Sequence, residues 1–525
     1  MAMSEILYPI GIQSFSKLRE EGYVYVDKTE YIWRLVSMSQ YVFLSRPRRF
    51  GKSLLLSTIE AFFEGRRDLF EGLAIEGSDH DWGEYPVLRI DFTGSNFNSP
   101  DSLKIHLDFM LSHWEKRYGI AVTAKDAYGL RFGQVIEEAH RQTGRKVVIL
   151  IDEYDKPLLE TVSNEPLQEI YRGDLRAFYS NLKKQDDHIR FAMLTGVTRF
   201  GHLSIFSDLN NLQDISMDER YAGICGVTTE ELHRYFQSGV ENFAEREGMS
   251  VEEIYEELRR NYDGYHFTPR NSPDIYNPFS LLNSLSAGSF SDYWFRTGTP
   301  SFLIRMIRDG RIPLRSISDC DADIRSLSDV SFDLSNYLSV LYQSGYLTIK
   351  GYDREFGSVT LGFPNMEVER GFFDSLFRIY TPMPEQETSF AIRKFVLDIR
   401  NGRTEDFMQR LQSFFSDFKY DSFDLQNLER HYQDVIYILM KLMGFYTDIE
   451  YKTASGRIDM VVKTSAYIYV FEFKIDRSAQ EAMAQIDSKD YLLPFKSDGR
   501  TLVKVGANFS TETRSIDSWI TEAIY

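Results

Sequence analysis

Short runs of β-branched and aromatic residues alternate with longer amphipathic stretches through the first 215 positions. The apolar runs lie at 41–45, 87–92, 147–151 and 191–194. Between them, segments such as 54–64 and 167–184 repeat apolar residues at helical spacing. Buried strands joined by crossover helices predict an α/β core with a parallel sheet. From about 216 to 385 the pattern turns mostly helical, broken at Asp263-Gly264, Pro269, Pro273, Pro278 and Pro300. A third segment opens near 386. It reads as helical to Gly444, then as two β-type runs at 457–462 and 467–474, then as a helix from Ala479. The expected domains are therefore 1–215, 216–385 and 386–525.

Composition narrows the class. A chain of 525 residues suits two to four domains. Its 43% hydrophobic and 26% charged residues exclude wholesale disorder. Two cysteines, Cys225 and Cys320, exclude a disulfide framework and a cysteine-rich zinc site, and fit a reducing cytosol. No window approaches the roughly 18 apolar residues of a membrane span, and the first residues lack a signal-peptide pattern. A cytoplasmic protein without a membrane partner is expected. The net charge of −18 argues against a general nucleic-acid coat but not against a local basic groove. Residues 421–525 are milder, with 12 Lys/Arg against 16 Asp/Glu, and some of those acids would be offset by an ion.

The run 41–45 leads into Arg46-Pro47-Arg48-Arg49-Phe50-Gly51-Lys52-Ser53, and a helix with Leu54, Leu55, Ile59, Phe62 and Phe63 follows. Strand, loop, Gly-Lys-Ser and helix form the context of a phosphate-binding loop. Backbone N–H groups and the helix N-terminus attract phosphate. Gly51 permits close approach, Lys52 reaches the β- and γ-phosphates, and Ser53 holds Mg²⁺. Arg46 stands where the general motif has its first glycine, so the opening turn must be built differently. The three arginines, Arg46, Arg48 and Arg49, either add phosphate contacts or fold onto the protein's own acids.

The run Val147-Val148-Ile149-Leu150-Ile151 ends in Asp152 and Glu153, at the sheet edge where ligands bind in open α/β folds. Asp152 would position Mg²⁺ and Glu153 would polarise the attacking water. Thr195 or Thr198, after the run 191–194, would lie between these acids. Arg199 reads first as a structural arginine, with a role as an arginine finger if subunits assemble into a homo-oligomer.

A second group of acids lies near the C-terminus. Asp459 and the pair Glu472 and Lys474 fall on two β-type runs joined by a short turn. Period two puts Glu472 and Lys474 on one face. They interrupt an apolar run, and charges there are costly without partners or an ion. Asp459 and Glu472 would share Mg²⁺ or Mn²⁺, and Lys474 would orient water or stabilise the transition state. Gln485 and Tyr491 follow as supporting groups. Glu429, at the start of a helix, is a further candidate metal ligand.

Carrying these motifs, the chain resembles the bacterial AAA-ATPase-like proteins fused to a C-terminal PD-(D/E)XK nuclease domain. The resemblance rests on Tyr8-Pro9-Ile10-Gly11, Tyr25-Val26-Asp27-Lys28-Thr29, the loop 46–53 and Asp152-Glu153-Tyr154-Asp155-Lys156-Pro157. It continues in Thr195-Gly196-Val197, the segment 206–212, Tyr262-Asp263-Gly264-Tyr265, Tyr276-Asn277-Pro278-Phe279-Ser280 and the segment 297–300. At the C-terminus it rests on Gly456-Arg457-Ile458-Asp459, Glu472-Phe473-Lys474, Gln485 and Tyr491. Arg46 in the loop looks like the family's own form. The resemblance implies a P-loop ATPase core, a helical middle and a restriction-endonuclease-like α/β domain. It carries ATP and Mg²⁺ to Lys52, Ser53, Asp152 and Glu153, and nuclease roles to Asp459, Glu472, Lys474 and Gln485. The stretch 334–349 is similar to part of a winged helix. Two functions are expected to compete. One is an ATP-dependent or ATP-regulated nuclease acting on nucleic acid, DNA foremost, in defence or mobile-element biology. The alternative is an NTP-driven switch or scaffold whose C-terminal domain binds nucleic acid or protein without cutting.

Overall fold

The computed structural model describes residues 6–80, 82–122, 124–199, 211–270, 273–297, 314, 317, 320–327, 336–381, 385–416, 428–444, 448–451 and 459–524, with backbone alone at 385–386, 428–433 and 448–451. They form two compact units divided at Glu369 and Arg370.

In the first unit, five parallel strands make a sheet. They are β1 (Tyr41–Ser45), β2 (Val87–Asp91), β3 (Val147–Asp152), β4 (Ile189–Gly196) and β5 (Gln213–Asp214), in the order β2-β3-β4-β1-β5. Every residue of β1 and β3 is buried, which is why both read as unbroken apolar runs. Strand β4 lies between them. The register sets Ser45 against Gly196 and Ile151 against Leu194, so β1, β3 and β4 end side by side. The helix Lys52–Phe63 leaves β1 and buries Leu55, Leu56, Ile59, Phe62 and Phe63. The helices Tyr128–Thr143 and Glu165–Lys184 meet through Phe132 and Phe178, stacked with ring centres 4.5 Å apart.

Residues from 216 to Glu369, apart from 313–315, belong to this same unit, and the continuous part of the second unit starts at Arg370, upstream of 386. The helices Thr229–Glu247 and Val251–Tyr262 each open on a reciprocal cap, Thr228 with Glu231 and Ser250 with Glu253. With the helix Pro278–Ala287 they enclose a core of Leu232, Phe236, Phe243, Leu258, Tyr262 and Leu281. A short ribbon, β6 (Val227–Thr228) with β7 (Ile275–Tyr276), joins the helices. The middle also carries a sheet that the helical pattern did not predict. It comprises β8 (Cys320–Asp323), β9 (Thr348–Asp353) and β10 (Ser358–Gly362), antiparallel in the order β8-β10-β9. The helix, turn and strand that the winged-helix likeness at 334–349 implies are present from Asn336 onward, as the helix Tyr337–Gln343, a turn through Gly345 and β9. That helix turns Ser339, Val340, Leu341 and Gln343 inward, which is a packing role.

The second unit has the helices Glu385–Arg400, Thr404–Ser416 and Leu428–Gly444 and a mixed five-stranded sheet. Its strands are β11 (Asp448–Tyr451), β12 (Met460–Lys463), β13 (Tyr467–Ile475), β14 (Thr501–Ser510) and β15 (Ser515–Ile524), adjacent in chain order. Only β13 and β14 are parallel, and the helix Ala479–Ser488 provides their crossover. The sequence pattern ended with this helix and missed β14 and β15. The reason is visible in β14, where Lys504, Gly506, Asn508 and Ser510 break the apolar run. Lys504 is buried against Asp487 (2.9 Å) and Glu522 (2.5 Å), so its charge is partnered rather than solvated. No helix of the described residues is long and apolar enough to cross a membrane.

Two candidate active sites

The first site forms where β1, β3 and β4 end. Between β1 and the helix Lys52–Phe63, Arg49 (φ 68°) and Gly51 (φ 93°) both take left-handed backbone conformations. Such alternation curls the loop so that N–H groups can face an anion. Phe50 is buried, edge-on to Tyr265 (4.8 Å) and Phe267 (5.4 Å), so the middle segment braces the loop from one side.

Arg46 departs from the expected phosphate contact. Its guanidinium is 2% exposed and turns inward. It donates to the carbonyls of Ser45 (2.9 Å), Ser216 (2.8 Å) and Tyr221 (3.4 Å), and lies 4.1 Å over the ring of Phe267. A side chain is tolerated at this glycine position because it is led away from the loop mouth and its two Nη groups meet backbone carbonyls. Arg48 and Arg49 are exposed, the latter 5.1 Å from the Phe279 ring centre.

Lys52 is buried, and its ammonium donates to the carbonyls of Arg46 (2.9 Å) and Pro47 (3.1 Å). Burial pulls its pKa down, while Asp152, Glu153 and Asp155 pull it back up. Asp152 is 1% exposed. One carboxylate oxygen accepts from Thr195 Oγ1 (2.8 Å) and the Glu153 N–H (3.1 Å), and the other, Oδ2, is buried with no partner. A carboxylate oxygen left unpaired beside the loop fits a divalent cation. Glu153 follows in a left-handed conformation (φ 49°). Burial raises its pKa, opposed by the charges of Lys52 and Arg48, which suits a proton acceptor.

The structure also separates the two threonines. Thr195 is the one on Asp152. Thr198 is held with its own N–H and the Val197 N–H on Asp155, at 2.6–3.0 Å. Asp155 is thus the anchor of the loop after β4, a role the sequence did not suggest. Arg199 is 6% exposed, 2.7 Å from Asp214, and its N–H donates to Gln343. Asp91 pairs in register with Asp152, and its carboxylate caps the Thr93 N–H at 2.8 Å. Beside Gly51 lies an apolar cavity of about 90 Å³ lined by Val24, Val26, Leu54, Ile224, Phe236 and Leu282.

The second site lies on β13 of the other unit. Met460 pairs with Phe471, which sets Asp459 beside Glu472. Asp459 Oδ2 accepts from the Phe473 N–H at 2.9 Å. Lys474 Nζ donates to Glu472 Oε1 (2.8 Å) and to Gln485 Oε1 (2.6 Å), and Gln485 in turn donates to the Tyr491 hydroxyl (3.2 Å). The structure therefore brings Asp459, Glu472, Lys474, Gln485 and Tyr491 together. Glu472 is 2% exposed, and its Oε2 is buried without a partner. Burial raises its pKa, the charge of Asp459 raises it further, and Lys474 lowers it. Two adjacent carboxylates, one with an orphaned oxygen, fit a divalent cation. Among the described residues no group of three or more His, Cys, Asp or Glu could hold a metal, so these two acids are the side-chain ligands the described site offers. The helix Leu428–Gly444 carries Glu429 in its first turn, but that side chain lies outside the described residues. Gly456, Arg457 and Ile458 also lie outside them, as do residues 206–210 and 298–300.

Gln485 reaches Lys474 because its helix sits close on β14. A Cβ at Gly506 would lie 2.8 Å from Met483 Cγ and N and 2.9 Å from Ala479 O. Gly506→Val is expected to push the helix off the sheet, lower stability by about 1–3 kcal/mol and part Gln485 from Lys474. Thermal unfolding and cleavage assays on the same preparation check this, and an unchanged melting temperature would contradict it.

Comparison with known proteins agrees with this division. The family model described as a predicted AAA-ATPase matches residues 9–206. The model of the PD-(D/E)XK nuclease superfamily matches residues 427–519. A protein of Azotobacter chroococcum mcd 1, described as an uncharacterized protein in the vnfD 5′ region, is 35% identical over 536 residues, covering 99% of this chain and 100% of that protein. With a parallel sheet and phosphate loop in one unit and the Asp459, Glu472 and Lys474 cluster in the other, the chain belongs to the AAA-ATPase-like proteins that carry a C-terminal PD-(D/E)XK nuclease-superfamily domain.

Proposed function

We propose that this protein binds and hydrolyses ATP in its first unit and cleaves nucleic-acid phosphodiesters, DNA foremost, in its second. The observation that carries the reading is common to both sites. Each has a buried carboxylate with one unpartnered oxygen, Asp152 Oδ2 and Glu472 Oε2, near a buried or half-buried lysine. On this reading 1–215 is the ATPase core, 216–385 a lid and linker whose last residues, from Arg370, fall within the second compact unit, and 386–525 the nuclease domain, in a cytoplasmic protein. Asp152 and Ser53 would hold one divalent cation, and Asp459 and Glu472 another. A bound cation supplies positive charge to the phosphate oxygens. In the first site Lys52 holds the β- and γ-phosphates and Glu153 takes the proton of the attacking water. In the second, Lys474 orients the water, and Gln485 with Tyr491 holds Lys474 in place.

The test is cleavage of plasmid and single-stranded DNA with Mg²⁺ or Mn²⁺, with and without ATP. Metal-dependent cleavage altered by ATP is expected. ATP turnover without any cleavage would sink the nuclease half and leave a nucleotide-driven switch.

The raised pKa of Glu472 adds a pH dependence. Its proton must leave before a cation binds, so affinity rises with pH. Below the pKa of Glu472, Mn²⁺ affinity should strengthen roughly tenfold per pH unit. Calorimetric titration of the Lys52→Ala protein from acid to neutral pH measures this at the second site, and a flat profile would contradict it.

A further inference from the structure

We propose that Arg48 supplies the positive charge that stabilises the transferring phosphate, from within the phosphate loop, so that each protomer carries its own arginine for the step. The inference rests on the ATPase reading above and extends it by naming the group and its source.

The arginines around the site are divided by what they touch. Arg46 is buried on three backbone carbonyls and the Phe267 ring. Arg199, where a finger reaching a neighbouring subunit would be sought, is buried against Asp214 and Gln343. Arg49 lies over Phe279. Arg48 is exposed, and among the described residues its guanidinium makes no hydrogen bond or ion pair. Its backbone is nevertheless fixed, because Trp294 Nε1 donates to the Arg48 carbonyl at 3.0 Å. A pinned backbone with a free guanidinium is the arrangement a phosphate-seeking arginine needs, since the five donors have no competing partner. Arg48 lies three residues beyond the end of β1 and Glu153 one residue beyond the end of β3, and these strands end side by side with β4 between them. The free arginine and the proton-accepting carboxylate thus belong to the same end of the sheet.

In the step, the water oxygen bonds to the γ-phosphorus as the bond from that phosphorus to the bridging β–γ oxygen breaks. The bond's electron pair stays on the ADP oxygen, and the water's proton passes to the Glu153 carboxylate. Arg48 forms no covalent bond. Its N–H groups take up the charge that spreads over the γ-phosphoryl and bridging oxygens.

The experiment uses the full chain and compares wild type with Arg48→Ala, Arg48→Lys, Arg49→Ala and Lys52→Ala. It reads ADP affinity, ATP turnover across a hundredfold range of protein concentration, and trapping of ADP with fluoroaluminate. Arg48→Ala is expected to bind ADP within about threefold of wild type, lose about 10³-fold in turnover and fail to trap ADP–fluoroaluminate. Arg48→Lys should recover part of both losses, and Arg49→Ala should lose far less. Wild-type turnover per protomer should not vary with concentration. If Arg48→Ala turns over and traps like wild type while Lys52→Ala is inactive, this proposal falls and the ATPase reading stands. The same holds if mixing Arg48→Ala with Lys52→Ala restores turnover, because the arginine would then come from a neighbour. Wild type that neither turns over ATP nor traps the analogue would overturn both.

Discussion

Lys52→Ala is expected to reduce ATP turnover by at least about 10²–10³-fold and to weaken nucleotide binding as well. The ammonium is buried at the loop mouth, and two loop carbonyls, those of Arg46 and Pro47, accept its hydrogen bonds. Alanine removes the charge that meets the phosphates and leaves those carbonyls without their donor. Glu153→Gln separates the two effects. It keeps the size and burial of the side chain but cannot take a proton, so turnover should fall by about 10²–10⁴-fold while ADP binding persists. Fluorescent-nucleotide titration and phosphate release on both variants check the pair. Lys52→Ala hydrolysing ATP at the wild-type rate would end the phosphate-loop reading.

The second large effect is expected at Lys474. Lys474→Ala removes the donor to both Glu472 and Gln485 and should lower metal-dependent cleavage by about 10²–10³-fold. It should also move the acid limb of the pH profile. Lys474 lowers the pKa of Glu472 against burial and the charge of Asp459. Without it the carboxyl holds its proton to higher pH, so cation binding and residual cleavage should both begin at higher pH than in wild type. ATP turnover, performed in the other unit, serves as the folding control. Cleavage unchanged in Lys474→Ala, or an acid limb that moves to lower pH, would contradict the assignment.

How far the site was legible follows the distance over which each property is set. The parallel core was readable because β3 is buried on both faces, and five consecutive aliphatics before Asp152 have no other economical explanation. Glu472 and Lys474 stood out for the converse reason, as charges inside an apolar strand. Strand β14 escaped because Lys504 looks like a surface residue until Asp487 and Glu522 are brought to it. In the sheet β8-β10-β9, the strands β8 and β10 escaped because they are short and face solvent in part.

By itself the sequence determined the strand–loop–helix around Gly51, Lys52 and Ser53, the acidic end of β3 and the Glu472–Lys474 face of β13. Each is a local property of side-chain identity and spacing along a few residues. Only the tertiary structure decided which polar groups those residues meet. Ser216 and Tyr221, 170 and 175 residues from Arg46, turn that arginine inward. Thr198 goes to Asp155, which leaves Thr195 for Asp152, and Asp214 takes Arg199 out of reach of a neighbour. Charges and hydrogen bonds act through space over a few ångströms, and no spacing along the chain reveals which distant carbonyl or carboxylate folding brings within that range.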